Sequence, residues 1–343
     1  MTVATTHMRA EIDEIPDATR RLLGQSAESL AEAGRRLRRL QPAMVVTIAR
    51  GSSDHAASFL KYAIELVAGV PVASIGPSIM SIYGRELRLG SCAALSISQS
   101  GKSPDIVAMA QSARRNGALG IALTNTADSP LAAAADIAID LAAGKEQSVA
   151  ATKSYVSSVV AGLAILGHWT ADADLLAALD RLPEAFARAA ALDWTPLAAA
   201  LRDRDSLYVL GRGPALAIAA EAALKFKETC GIHAEAYSAA EVLHGPARIV
   251  EDGFPVLVLA ARDAAEAGVA GIADRLAQQG ATCFATTDRV AAASQLPFIA
   301  TGHPLTDALA LIVGFYGFVE MFSRQRGFDP DRPPHLKKVT ETV

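Results

Sequence analysis

The sequence predicts an α/β protein: two tandem, doubly wound parallel sheets, each the middle layer of an α-β-α sandwich, closed by a C-terminal tail. Three observations predict it. Short apolar runs rich in β-branched residues alternate with helix-length segments, the pattern of parallel strands covered on both faces. The alternation occurs twice, and the strand, glycine turn and helix read at 43–66 are matched by a second set at 206–228, as in a diverged internal duplication. The length, 343 residues, suffices for two domains that each bury a core.

The elements follow in order. An N-terminal helical segment is expected over 1–36. The first domain, 37–170, reads as strands at 43–49 (AMVVTIA), 72–76 (VASIG), 93–97 (AALSI), 118–124 (ALGIALT) and 136–141 (DIAIDL). An alanine-rich helical stretch from about 172 to 202 leads into the second domain, 190–325. Its strands are expected at 206–210 (SLYVL), 255–260 (PVLVLA), 281–287 (ATCFATT) and 297–302 (PFIATG). Residues 326–343 form the tail. In sheets of this kind ligands sit beyond the carboxyl ends of the strands, where the distinctive loops fall.

Composition narrows the function. With 51% hydrophobic and 20% charged residues the chain reads as a soluble globular protein. A net charge of -4 gives no reason to expect nucleic acid or an anionic membrane as partner, so an anionic ligand needs a local site. Cys92, Cys230 and Cys283 are odd in number and lack CxxC spacing, which suggests reduced thiols in a cytoplasmic setting and no metal knuckle. The N-terminus places acids where an export signal needs an apolar run. The apolar stretch ALALIVGFYGFVEMF at 308–322 is shorter than a membrane span and is expected in a core or a subunit interface.

Five segments carry candidate chemistry. In SISQSGKSPD, 96–105, a strand ends near Ile97 and Ser103-Pro104-Asp105 reads as an N-cap, a first-turn proline and an acidic first turn. Ser98, Gln99, Ser100, Lys102 and Ser103 then surround a helix start, an arrangement that suits a phosphate monoester. ARGSSDHAAS adds Gly51, Ser52 and Ser53 at another strand end, and QSVAATKSY adds Ala150, Thr152 and Lys153 before a further helix. GRGPALA at 211–217 matches a dinucleotide turn only weakly, because no strand ending on a ribose-binding acid is evident after its helix. Farther on, Glu221, Lys225 and Glu228 fall on one face of a helix, either as a solvated Glu–Lys pair or, with His233, Glu235 and His244 in the loop-rich stretch beyond, as proton-handling groups.

Taken together, RGSSDHA, SQSGKSPDI, SVAATKSY, LGRGPALAIAAEAALKFKE, IHAEAYSAAEVLHGP and DPDRPPHLKKVTETV resemble the tandem sugar isomerase (SIS) domains, specifically the isomerase half of glucosamine-6-phosphate synthase. The matches run over nearly the whole chain. The resemblance implies that Ser52, Ser53, Ser98, Gln99, Ser100 and Ser103, with Val149 and Ala151, hold a phosphorylated hexose or hexosamine. It makes Glu228 the isomerase base, His244 the ring-opening group, Lys338 the amine that forms an imine with a keto sugar, and Glu221 and Lys225 their support. It also implies a homodimer with a shared active site, and no metal or other cofactor.

Two departures bear on the reaction. The synthase carries an N-terminal glutaminase domain, whereas here the isomerase-like region begins almost at once. That leads to the expectation of the degradative direction, glucosamine 6-phosphate to fructose 6-phosphate and ammonia. Ala151 stands where the synthase pattern has serine, which bears on the identity of the hexose. An isomerising fructose-6-phosphate aminotransferase, a fructosamine-6-phosphate deglycase and a non-catalytic sugar-phosphate sensor are the alternatives; no DNA-binding helix-turn-helix segment precedes the first strand.

Overall fold

A computed structural model describes residues 5–338. The first four residues of the expected N-terminal segment and the last five of the tail lie outside the described residues. Two compact units divide the chain. One comprises Glu14–Glu146, Lys153–Pro183 and the chain from Lys337; the other comprises the chain to Asp13, Gln147–Thr152 and Glu184–Leu336.

The first unit holds five parallel strands in the order β2-β1-β3-β4-β5: β1 Met44–Ile48, β2 Val72–Ser74, β3 Cys92–Ser98, β4 Leu119–Thr124 and β5 Ile137–Asp140. All five fall within or beside the expected runs. β4 (LGIALT) is buried along its whole length, as a central parallel strand must be when both faces are covered. Helix Lys153–Thr170 packs on helices Ala27–Leu40 and Ser52–Val67 and is buried on nearly all sides, its apolar stretch 159–166 and its small serines included.

The second unit holds β6 Ser206–Gly211, β7 His233–Ser238, β8 Pro255–Val258, β9 Thr282–Ala285 and β10 Ser294–Gln295, in the order β10-β9-β8-β6-β7, again all parallel. Read from the other edge this is β7-β6-β8-β9-β10, the topology of the first sheet. The duplication extends to the backbone. Gly51, ahead of helix Ser52–Val67, has φ 54° and ψ -136°; Gly213, ahead of helix Pro214–Cys230, has φ 59° and ψ -134°. Side chains rarely enter this region, so glycine is required at both strand-to-helix turns.

Two expectations are corrected. HAEAYS, read as loop-rich, is the edge strand β7, paired with β6 from Ser206↔His233 to Gly211↔Ser238. Its exposed outer residues hide the strand pattern, because an edge strand buries less than its neighbours. PFIATG at 297–302 is not a strand; the short β10 precedes it. Its polar groups serve other elements: the Pro297 carbonyl accepts from the Trp194 indole at 2.9 Å, and the Thr301 amide donates to Asp307 at 2.8 Å.

The apolar stretch at 308–322 lies in helix Pro304–Gln325, long and apolar enough by length and composition to cross a membrane, yet 94% of its most apolar window is buried inside the protein. It packs on helix Pro214–Cys230, where Phe226, Phe315 and Phe318 meet at centroid distances of 5.1–6.1 Å. The three cysteines are free; burial pushes the thiols of Cys230 and Cys283 up to about 12, which fits packing residues.

Candidate functional site

In the first sheet the strand order reverses between β1 and β3, the position at which open α/β sheets form a ligand crevice. The loops after these two strands are the serine-rich ones. Ser52 and Ser53 occupy the first turn of helix Ser52–Val67, and Ser98, Gln99, Ser100 and Ser103 run from the end of β3 to helix Pro104–Arg115. Neither helix start is closed by a side-chain cap. Ser103 stands at the N-cap with Pro104 next and Asp105 in the first turn, as the sequence reading has it, although its hydroxyl makes no capping bond. Both helices therefore place the positive end of their dipole at the carboxyl edge of the sheet.

The loop after β3 is shaped by its own hydroxyls. Ser98 Oγ accepts from the Gly101 amide at 3.2 Å and Ser100 Oγ from the Lys102 amide at 3.3 Å. Gly101 has φ 62°, and a Cβ there would stand 2.2 Å from Ser129 Oγ. The buried Asp105 carboxylate pairs with the Arg50 guanidinium, tying the two loops together. Lys102 is exposed at the turn.

The equivalent loop of the second sheet, after β8, has no serine cluster. Arg262 there pairs with the buried Asp307, donates to the Thr286 carbonyl at 2.8 Å and lies 4.0 Å over the Phe298 ring. The dinucleotide reading of 211–217 gains nothing from β7, which ends on Ser238 rather than on an acid.

What the second unit contributes is a buried row of charges. On helix Pro214–Cys230, Lys225 Nζ stands 3.4 Å from Glu221 Oε1 and closer still to the Glu228 carboxylate. Lys225 and Glu221 are 0% exposed, so the solvated-pair reading does not hold. The Tyr316 hydroxyl donates to Glu221 at 3.1 Å. Burial pulls the Lys225 ammonium down, but the Glu221 and Glu228 carboxylates outweigh it and hold its pKa above the ordinary value. Glu228 alone of the three reaches a cavity, of about 460 Å3, lined also by Leu224, Lys227, Phe328, Asp329 and Pro333. The cluster thus presents one carboxylate to an open space while a buried cation fixes its direction.

Three acids that the sequence reading did not single out organise the remaining candidates. Glu11, buried on helix His7–Asp13, accepts from the amides of Gln147 and Ser148 and from the Ser148 hydroxyl, fixing the loop that carries Val149 and Ala151. The Asp331 carboxylate accepts from the amides of His7 and Met8, each at 2.7 Å, and its carbonyl from the Val149 amide at 3.4 Å. Glu146, whose side chain is 0% exposed, accepts from Ser154 N at 3.1 Å, Ser154 Oγ at 2.6 Å and Lys338 Nζ at 3.0 Å. Burial raises the Glu146 pKa, but Lys338 and Ser154 together bring it below the ordinary carboxylate value. No local motif announces these acids, because their partners lie far off in the chain, 192 residues away for Glu146 and Lys338.

The candidate residues are divided between the units. Ser52, Ser53, Ser98, Gln99, Ser100, Ser103 and Lys338 belong to the first; Glu221, Lys225, Glu228, His244, Val149 and Ala151 belong to the second. His244 ends the 3-10 turn Glu241–His244 and is exposed, whereas Val149 and Ala151 are half-buried. His233 and Glu235 are exposed on the edge strand β7 and join none of these clusters. Among the described residues no group of three or more His, Cys, Asp or Glu is placed to hold a metal ion.

Two parallel sheets of one topology, one with serine loops at its switch point and the other with a buried acid–amine–acid row, define a tandem α/β protein with a candidate anion site. The chain belongs to the SIS-domain family, whose domain model matches residues 41–166 and 200–295. It is 32% identical over 327 residues to the isomerising glutamine–fructose-6-phosphate aminotransferase of Pyrobaculum aerophilum, covering 88% of this chain and 54% of that protein. The chain spans about half the length of the curated relatives it matches. A protein from Silicibacter pomeroyi classed as a phosphosugar isomerase is 56% identical in sequence, with a TM-score of 0.93 over 95% of this chain and 100% of the other. The C-terminal domain of a glucosamine-fructose-6-phosphate aminotransferase from Francisella tularensis shares the fold, with 24% identity and a TM-score of 0.83 over 96% of this chain and 99% of that one.

Proposed function

We propose that the chain is a hexose-phosphate isomerase of the amino-transfer type, interconverting the C2 imine of fructose 6-phosphate with glucosamine 6-phosphate. The row Glu221–Lys225–Glu228, two of its members fully buried, is the observation that carries this reading. Moving hydrogen from C1 to C2 of an open-chain sugar needs a carboxylate of fixed direction, and Glu228 is such a group at a cavity. In this reading the serine loops hold the 6-phosphate, His244 moves a proton between O1 and O5 to open the ring, and Lys338 forms an imine at C2. The homodimer with a shared site belongs to the same proposal.

The degradative deaminase expected from the sequence follows this path in reverse, so the two readings differ in direction and in the fate of ammonia. The curated relatives, isomerising aminotransferases at 32–34% identity, support the synthetic direction. The test runs both ways: glucosamine 6-phosphate formed from fructose 6-phosphate with ammonium or glutamine, and ammonia released from glucosamine or galactosamine 6-phosphate. Turnover that Glu228→Gln abolishes while fructose 6-phosphate still binds upholds the reading. A wild-type protein that binds these sugars and turns over none of them is a sensor.

A further inference from the structure

We infer that Glu146 is the counter-ion of the tail lysine throughout its covalent chemistry, holding first the Lys338 ammonium and then the iminium that Lys338 forms with a keto sugar. The inference rests on the imine role given to Lys338 above and adds a residue that neither the sequence motifs nor the charge row includes. Its basis is the geometry at Glu146. A carboxylate with no exposed side-chain surface is costly to bury unless both its oxygens are hydrogen-bonded and a cation lies beside it. Glu146 meets both conditions: Ser154 supplies a backbone and a hydroxyl donor, and Lys338 Nζ, 24% exposed as a side chain, supplies the cation at 3.0 Å. The lowered pKa of Glu146, for which Lys338 is the leading favourable cause, agrees with that arrangement.

The chemistry at Lys338 conserves the charge that Glu146 faces. An ammonium and a ketone condense to an iminium and water: nitrogen gains two bonds to C2, the C2–O bonds break, and two of the three ammonium hydrogens leave with the oxygen as water. Ammonia attacking that iminium at C2 returns the lysine ammonium and leaves the sugar as its neutral imine. Both steps balance with one positive charge at the lysine nitrogen before and after, and with at least one N–H left to donate. A buried, preorganised carboxylate at 3.0 Å therefore stabilises each state without being itself protonated, and favours the iminium over the neutral imine. Electron withdrawal by the iminium is what makes C2 open to ammonia.

The experiment is reductive trapping. Protein is mixed with fructose 6-phosphate and cyanoborohydride, the adduct is read by intact mass and mapped by peptide sequencing, and kcat and KM are measured beside it. Wild type is expected to trap one sugar on Lys338. In Glu146→Gln the amide oxygen still accepts from the Ser154 amide while the new amide nitrogen donates to the Ser154 hydroxyl, so the variant is expected to fold, to keep KM for the sugar phosphate, and to lose at least tenfold in trapping and in kcat. Glu146→Asp, which withdraws the charge by one methylene, is expected to lose severalfold and serves if the glutamine variant does not fold. Trapping on Lys338 in wild type and equally in either folded variant overturns the counter-ion role alone. No adduct on Lys338 in wild type overturns the imine reading and the counter-ion with it.

Discussion

At the residue scale, the site's chemistry lies in side chains whose burial a one-dimensional reading cannot assign. The spacing of Glu221, Lys225 and Glu228 places them on one face, but the alanines around them suit either a solvated or a buried helix. Only packing against helix Pro304–Gln325, and with it the bond from Tyr316, settles the matter. Lys225→Met would leave two carboxylates beside one apolar chain. It is expected to cost about 3–5 kcal/mol in urea unfolding and to remove activity even where the fold survives, since Glu228 loses its anchor. A stability unchanged by this substitution would mean that the charge row contributes nothing net. Glu11, Glu146 and Asp331 escaped the sequence reading for the complementary reason: isolated acids become meaningful only when the fold brings distant amides and amines to them.

At the scale of elements, every strand of the first sheet and the central strands of the second were legible, and the two edges of the second sheet were not. β1, β3, β4, β6 and β8 are apolar because helices cover both faces. The edge strand β7 alternates exposed and buried residues at its start, and the apolar PFIATG is spent on a lead-in to helix Pro304–Gln325. The matched glycines offer a paired prediction. Gly51→Ala and Gly213→Ala place a side chain in the same unfavourable backbone region and are each expected to cost about 1–3 kcal/mol in thermal or urea unfolding. Only Gly51→Ala is expected also to weaken fructose 6-phosphate binding by calorimetry, because only the first switch point bears the serine loops. Equal losses of affinity in both variants would contradict that assignment. Asp331→Ala unfastens the start of helix His7–Asp13 and is expected to cost about 1 kcal/mol, the worth of a lost cap.

At the scale of the whole molecule, paired charges that are wholly or partly buried set the pH window of stability. Glu14 and Glu146 are pushed up by burial but brought below the ordinary carboxylate value of 4.5, chiefly by Lys153 and Arg21 in the first case and by Lys338 and Ser154 in the second. Their contribution is therefore full above about pH 4.5 and lost as pH falls through the depressed folded values. Lys225 is raised above 10.5, so its contribution is full below that pH and lost as pH rises through its folded value. Urea midpoints are expected to form a plateau with an acid and an alkaline limb, and Lys338→Met to flatten the acid limb. An acid limb identical in the variant would detach Glu146 from it. The division into units has a consequence for how the chain can be taken apart. The polypeptide passes from one unit to the other at residues 13–14, 146–147, 152–153, 183–184 and 336–337. No single cut releases either unit whole: cleavage near 183 would leave the first sheet without Lys338 and the second without Glu11 and the 147–152 loop. Half-length fragments made by halving the duplication are thus expected to regain activity only when both are present together, so complementation in trans, rather than autonomous folding of a lone half, is the behaviour this threading dictates.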